Sequence, residues 1–286
     1  MKPLNVLSLF DGISCGQLAL SQLKIPIAKY YASEIEQSAI AITKKNFPQT
    51  IHLGYVQDVK AKNLPKIDLI MAGSPCQGFS FNGKRLNFED PRSKLFWEFV
   101  RVLKECRKVN PKINFLLENV RMKKEHEQVI TKALSVEPVA INSKVLSAQS
   151  RPRLYWCNWV INKIKDTNIC IDDILISPAY KGIHGKMKSD RNASKEINYN
   201  GSLNILDTTK KLPCITTVSD PYAHLPGIAT GFNTYRGLSI VEIERGQTLP
   251  DNYTKGVSEN KRRHAIGNGW TVSVIKHILK SNPNLK

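Results

Sequence analysis

Over the first 160 positions the apolar residues fall into short unbroken runs, and most runs end at a polar or acidic residue. Asn5–Phe10 (NVLSLF) stops at Asp11-Gly12 and reads as a strand buried on both faces. Ile13–Leu23 follows as a helix, with Leu18, Ala19 and Leu23 on one side. The alternation continues with a strand over Ala28–Ser33 ending at Glu34, a helix over Ser38–Asn46 and a brief strand at Ile51–Leu53. Ile67–Ala72 is a strong strand that runs into GSPCQGFS. Lys94–Val109 carries the clearest helical period, through Leu95, Phe96, Phe99, Val102, Leu103 and Cys106. Asn114–Leu117 reads as a buried strand that stops at Glu118-Asn119. Ser143–Leu146 and Leu154–Val160 read as further strands, and Val272–Leu279 as a closing helix.

This alternation predicts an α/β fold: a Rossmann-like, doubly wound, mostly parallel sheet. After Asn162 the pattern changes. Lys163–Gly237 has scattered Gly and Pro, short apolar pieces and no long helical period, and α/β patterning returns near Leu238. The expected organisation is a main domain over 1–161 and 236–286, with a small loop-rich domain over 162–235.

Composition adds a partner. The 286 residues are 41% apolar, enough for a large core. There are 42 Lys and Arg against 24 Asp and Glu, a formal charge of +18. Such an imbalance speaks of partners rather than fold, and a nucleic acid is the natural one. No apolar run reaches 18 residues, so no membrane span is expected. The amino-terminal stretch is a poor secretory signal, so the expected location is cytoplasmic. Six cysteines form no C-x-x-C pair, which argues against a zinc ribbon and for free thiols. No metal is expected.

In open α/β sheets ligands bind beyond the carboxyl ends of the strands. Those ends carry Asp11-Gly12, Glu34, Asp58, Pro75-Cys76, Glu118-Asn119, and Arg151 with Arg153. Gly12 and Gly16 in FDGISCG allow a sharp turn and close approach of a ligand. An acid at the second strand's end commonly accepts from ribose hydroxyls, and Asp58 could accept from an adenine amino group. Each acid alone is more readily a solvated loop residue; three at successive strand ends form a nucleoside-site pattern. Cys76 sits among Gly73, Ser74, Pro75 and Gly78, a poor setting for a core thiol and a good one for a nucleophile. Glu118 ends a wholly apolar strand and could donate a proton. Arg153 offers forked donors to a carbonyl or anionic oxygen.

Together these blocks resemble the cytosine-5 DNA methyltransferases. The matching segments are FDGISCG, Glu34, VQD at Asp58, GSPCQGFS, ENV at Glu118–Val120, QSRPR at Gln149–Arg153, RGLSIVEIERGQTLP and AIGNGWTV. The resemblance implies transfer of a methyl group from S-adenosyl-L-methionine to carbon 5 of a flipped-out cytosine in double-stranded DNA, leaving S-adenosyl-L-homocysteine. It implies Cys76 as nucleophile, Glu118 as donor to the ring, Arg153 on the cytosine oxygen, Arg151 supporting the loop and Asn119 helping to hold it. For the cofactor it implies Phe10, Asp11, Gly12, Ile13, Gly16, Glu34, Ile35, Asp58, Val59 and Pro75, with Asn268 and Trp270 closing the pocket. Residues 162–235 become the target-recognition domain. A bacterial or phage enzyme is implied, with a cognate restriction endonuclease as a possible partner. Cys15 and Trp270 depart from the residues many bacterial relatives carry, and the insertion yields no readable base code. A tRNA cytosine-5 methyltransferase and an inactive DNA-binding paralogue are the alternatives; an NAD-dependent oxidoreductase is disfavoured because G-x-G-x-x-G is missing.

Overall fold

A computed structural model describes residues 2–74, 94–179, 185–188, 202–217, 227–231 and 234–285. Pro75 and Cys76 lie outside the described residues.

The runs read above become β1 (Leu4–Leu9), α1 (Cys15–Gln22), β2 (Ile27–Ser33), α2 (Gln37–Asn46), β3 (Ile51–His52) and β4 (Leu69–Gly73). They continue as α3 (Lys94–Val109), β5 (Asn114–Val120), α4 (Lys124–Leu134), β6 (Val139–Asn142) and β7 (Pro152–Cys157). One sheet takes the order β3-β2-β1-β4-β5-β7-β6. Strands β3, β2, β1, β4 and β5 pair in parallel, while β7 runs antiparallel to both β5 and β6. The doubly wound α/β class is therefore as expected, with one reversed strand.

Burial explains the apolar runs. Val6, Leu7 and Leu9 of β1 and Leu69, Ile70 and Met71 of β4 are sealed from solvent because both sheet faces are covered. The helical stripe of α3 puts Phe96, Phe99, Val102 and Leu103 into the same core as Phe115 and Trp156. Each such side chain contributes about 1.5–3 kcal/mol by leaving water.

Two elements differ from expectation. Ser143–Leu146 is not a strand: Ser143–Val145 form a short 3-10 turn. The Ser143 and Ser147 hydroxyls donate to the carbonyl of Gln149, and Ser147 also to that of Ser143. Such local bonds compete with a strand ladder. The sheet instead takes the preceding residues, as β6. Helix α4 was not anticipated, because of its apolar residues only Ile130 and Leu134 are deeply buried and the rest of the segment is largely charged and polar.

Contacts group Met1–Asn142, Pro152–Ile164 and Val274–Lys286 into one compact unit. Its last segment carries most of α7 (Val272–Lys280), whose Ile275, Ile278 and Leu279 are fully buried. Trp159 Nε1 donates to the Ile278 carbonyl, and Asn282 Nδ2 to Asn114 Oδ1.

Ser143–Arg151 and Lys165–Ser273 form the second unit. It holds two antiparallel pairs, β8 (Gly185–Lys188) with β9 (Ser202–Ile205) and β10 (Ile228–Gly231) with β11 (Thr234–Arg236). Helices α5 (Ile240–Gly246) and α6 (Glu259–Asn268) complete it. Ser239 and Glu242 form a capping box at α5, and the buried Glu242 also holds a two-pronged ion pair with Arg236. Arg236 and the neighbouring backbone amides hold Glu242 below the usual carboxylate range, outweighing the upward push of burial. Among the described residues no helix is long and apolar enough to cross a membrane.

Candidate active site

The sheet topology gathers the chemistry. Parallel strands deliver their carboxyl ends to one edge, and Glu118 and Asn119 lie there on β5. A reversed strand delivers its beginning to that same edge, and β7 begins with Pro152-Arg153. The register pairs Val120 with Arg153 and Glu118 with Tyr155. Arg153 Nε lies 3.0 Å from Glu118 Oε1, and both side chains are largely shielded from solvent. A carboxylate and a guanidinium, residues expected to meet different atoms of one ring, are thus brought into contact.

Asn119 is buried and donates from Nδ2 to Ser74 Oγ at 3.0 Å, while its Oδ1 accepts from the Val120 amide. Ser74 directly precedes Pro75-Cys76 in the sequence. Asn119 therefore fastens the end of β4 to β5 at the point where the chain enters the cysteine segment.

Arg151 serves a different place. It is buried in the second unit, where Nη1 donates to the Ile215 carbonyl and Nη2 to those of Gly267 and Gly269, at 2.9–3.0 Å. Its Nη1 also approaches Cys214 Sγ at 3.5 Å. Arg151 is a clamp between the segment at Ile215 and the carboxyl end of α6. Gly267 is required there, since a Cβ would sit 2.4 Å from the Thr216 carbonyl oxygen. Asn268, the last residue of α6, is exposed, and Trp270 is half-buried.

At the first strand end the backbone is unusual. Phe10, Gly12 and Ser14 all take left-handed conformations, with φ of 56°, 58° and 56°. Such values cost a residue with a Cβ about a kilocalorie or more, and clusters of them occur at binding sites. The turn is held from two sides. Glu34 Oε2 accepts from the Gly12 amide at 2.8 Å, and its Oε1 accepts from the Ile35 and Glu36 amides. Asp11 accepts from the Tyr30 hydroxyl at 2.8 Å and from the Ser14 hydroxyl. Burial pushes the Asp11 carboxyl up to about 6; the hydroxyls of Ser14, Ser8 and Tyr30 pull the other way, and the Glu34 charge adds to the rise. Ile13 and Gly16 are buried beneath the turn, and Phe10 packs on the core.

The pattern suits an adenosyl group. Among the described residues nothing lies within 4 Å of a Cβ built at Gly12. Ile35 and Tyr55 are large apolar side chains left 55% and 60% exposed near the ends of β2 and β3. Asp58 is exposed on a 3-10 turn over Val56–Asp58, and Val59 is buried behind it. Exposed apolar side chains and hydrogen-bond-accepting carboxylates near the same strand ends suit a nucleoside, whose hydroxyls and amino group donate. Sequence reading missed Tyr30 and Arg101, which hold this end from behind. Both are ordinary members of a buried strand and an amphipathic helix, with no motif to mark them.

The C-5 cytosine-specific DNA methylase family model matches residues 4–155 and 162–283. The chain belongs to that family. A type II methyltransferase of Haemophilus aegyptius, M.HaeII, is 28% identical across 99% of this chain and 94% of its own. M.NlaIV of Neisseria lactamica is 32% identical over 54% of this chain, and that match spans 41% of the Neisseria protein. Among solved structures, the Entamoeba histolytica methyltransferase EhMeth superposes with a TM-score of 0.70 at 18% identity, covering 98% of each chain. S. pombe Dnmt2 gives 0.67 at 20% identity, over 96% of this chain and 97% of the other. These two likenesses establish the fold.

Proposed function

We propose that the protein is a DNA cytosine-5 methyltransferase that uses S-adenosyl-L-methionine and acts on a cytosine turned out of duplex DNA. The observation that carries this reading is the Glu118–Arg153 pair at the carboxyl edge of the sheet, tied through Asn119 and Ser74 to the segment bearing Cys76. Phe10, Asp11, Gly12, Ile13, Gly16, Glu34, Ile35, Asp58, Val59 and Pro75 would hold the cofactor, with Asn268 and Trp270. When bound, the cofactor supplies an electrophilic methyl group on a positively charged sulfur.

The residues act on the base. The Cys76 thiolate adds to carbon 6, forming a C–S bond and pushing electron density towards carbon 5. Glu118 delivers a proton to ring nitrogen 3, which accepts the displaced charge, and takes that proton back when the C–S bond breaks. Arg153 donates to the cytosine carbonyl oxygen and fixes the ring's orientation. After methylation a base, water in our reading, removes the carbon-5 proton, and the C–S bond breaks to release thiolate and product. The target must leave the stack, at a cost of a few kcal/mol. The charge of +18 is suited to holding the duplex while that happens. We assign 1–161 and 236–286 to catalysis and 162–235 to target recognition.

The test is a duplex carrying 5-fluorocytosine in place of cytosine. Fluorine cannot leave as a proton, so a covalent protein–DNA adduct should accumulate with cofactor present. Cys76→Ser should form none, yet should retain cofactor binding by calorimetry. An adduct with tRNA but none with DNA would redirect the substrate, and an adduct in the serine variant would sink the thiol assignment.

A further inference from the structure

We propose that Arg101 on α3 is a positioning residue for the adenine side of the cofactor site, setting the turn that carries Asp58. The inference rests on the reading of Asp58 as the acceptor for an adenine amino group. Residues 56–59 turn so tightly that the Val59 amide bonds back to the Val56 carbonyl, leaving several carbonyls directed to one side. The guanidinium of Arg101 meets them there. Its Nη1 donates to the Val59 carbonyl at 3.0 Å, and Nη2 donates to those of Val56 at 3.1 Å and Gln57 at 3.5 Å. The acceptors bracket Asp58 on both sides.

The fork is itself held. Arg101 Nε pairs with Glu98 and Nη1 with Glu105, one helical turn to either side. Glu105 also reaches the turn directly, since its Oε2 accepts from the Ala61 amide at 3.0 Å. Burial alone would raise the Glu105 carboxyl; the Ala61 amide and Arg101 outweigh it and hold the group below its ordinary value. One helix face thus supplies a donor to the carbonyls before Ala61 and an acceptor to its amide. Asp58 makes no use of this grip for its own side chain, which is exposed. The effect is to fix where that carboxylate stands. A lysine could not replace the fork, because a point charge cannot address three carbonyls in fixed directions.

The test compares S-adenosyl-L-homocysteine with S-inosyl-L-homocysteine, which carries an oxo group where adenine has its amino group. Binding is measured by calorimetry on the full chain. The wild type should prefer the adenosyl compound by about tenfold, the effect of one well-placed hydrogen bond. Asp58→Ala should abolish that preference. Arg101→Met, which keeps the aliphatic stem, should reduce it to about twofold or less, and Arg101→Lys should fall between. A purely structural role would lower the folded fraction and leave the preference ratio intact. Should Arg101→Met fold poorly, Glu105→Gln weakens the same grip and should lower the ratio in the same direction. If Asp58→Ala loses the preference while Arg101→Met and Glu105→Gln keep it, the positioning role is overturned. If Asp58→Ala keeps it, the adenine reading of Asp58 fails first and takes this inference with it.

Discussion

Replacing Asp11 with Asn should make the protein more stable at neutral pH, and the gain should shrink on acidification. The carboxyl sits under the Phe10–Ser14 turn, where burial pushes it from an ordinary 3.8 to about 6. The folded state therefore holds its proton more tightly than the unfolded chain. Above both values the charged form costs the fold about 3 kcal/mol, at about 1.36 kcal/mol per tenfold change in proton affinity. As pH falls from 6 towards 3.8 the folded protein takes up the proton first and the cost fades; at pH 5 about half is left. Asn resembles the protonated acid. Its oxygen can accept from Tyr30, and its amide can donate to the Ser14 hydroxyl, which rotates to suit. Urea unfolding of both proteins should thus show Asp11→Asn ahead by about 3 kcal/mol at pH 7.5 and by about 1.5 kcal/mol at pH 5. Comparing the two proteins at each pH cancels the titration of every group that does not interact with residue 11. A gap that stays constant or widens between pH 7.5 and 5 would refute the argument that a desolvated charge sits under the turn.

Gly267→Ala forces a Cβ into the Thr216 backbone, and should cost about 1–3 kcal/mol or more in chemical denaturation; a neutral result would mean that the close approach of those segments is absent in solution. Arg151→Met removes three charge-assisted bonds to carbonyls, and should destabilise by about 3 kcal/mol or more, whereas a loss below about 1 kcal/mol would contradict the clamp. Glu118→Gln keeps shape but not the acid, and should slow tritiated methyl transfer by about a hundredfold or more while cofactor affinity changes little. Turnover within a fewfold of wild type would remove Glu118 from the chemistry.

The parts of the fold that sequence revealed are those where burial alone decides the pattern. The central strands are sealed on both faces, so NVLSLF and IDLIMA could hardly be anything else, and α3 has a single apolar stripe. Helix α4 escaped notice because only two of its side chains are deeply buried. The strand expected at Ser143 became a turn because serine hydroxyls satisfied the local backbone. Strand-end position marked Glu118, Glu34 and Asp58 as candidates, and the structure joins Glu34 to Gly12 and Glu118 to Arg153. What could not be read was direction. QSRPR gives no sign that β7 is reversed, and only that reversal carries Arg153 to the edge where Glu118 ends. Nor could sequence separate Arg151 from Arg153: two residues apart, they serve different units.

The first unit is assembled from three separated stretches of chain, and the last of them, from Val274 onward, supplies buried Ile275, Ile278 and Leu279 and the partner of Asn114. On the ribosome, residues 165–273 emerge before that final stretch does. Until it is free of the exit tunnel, the nascent unit lacks those buried side chains and leaves uncovered the apolar surface they would seal, the kind of surface that invites aggregation.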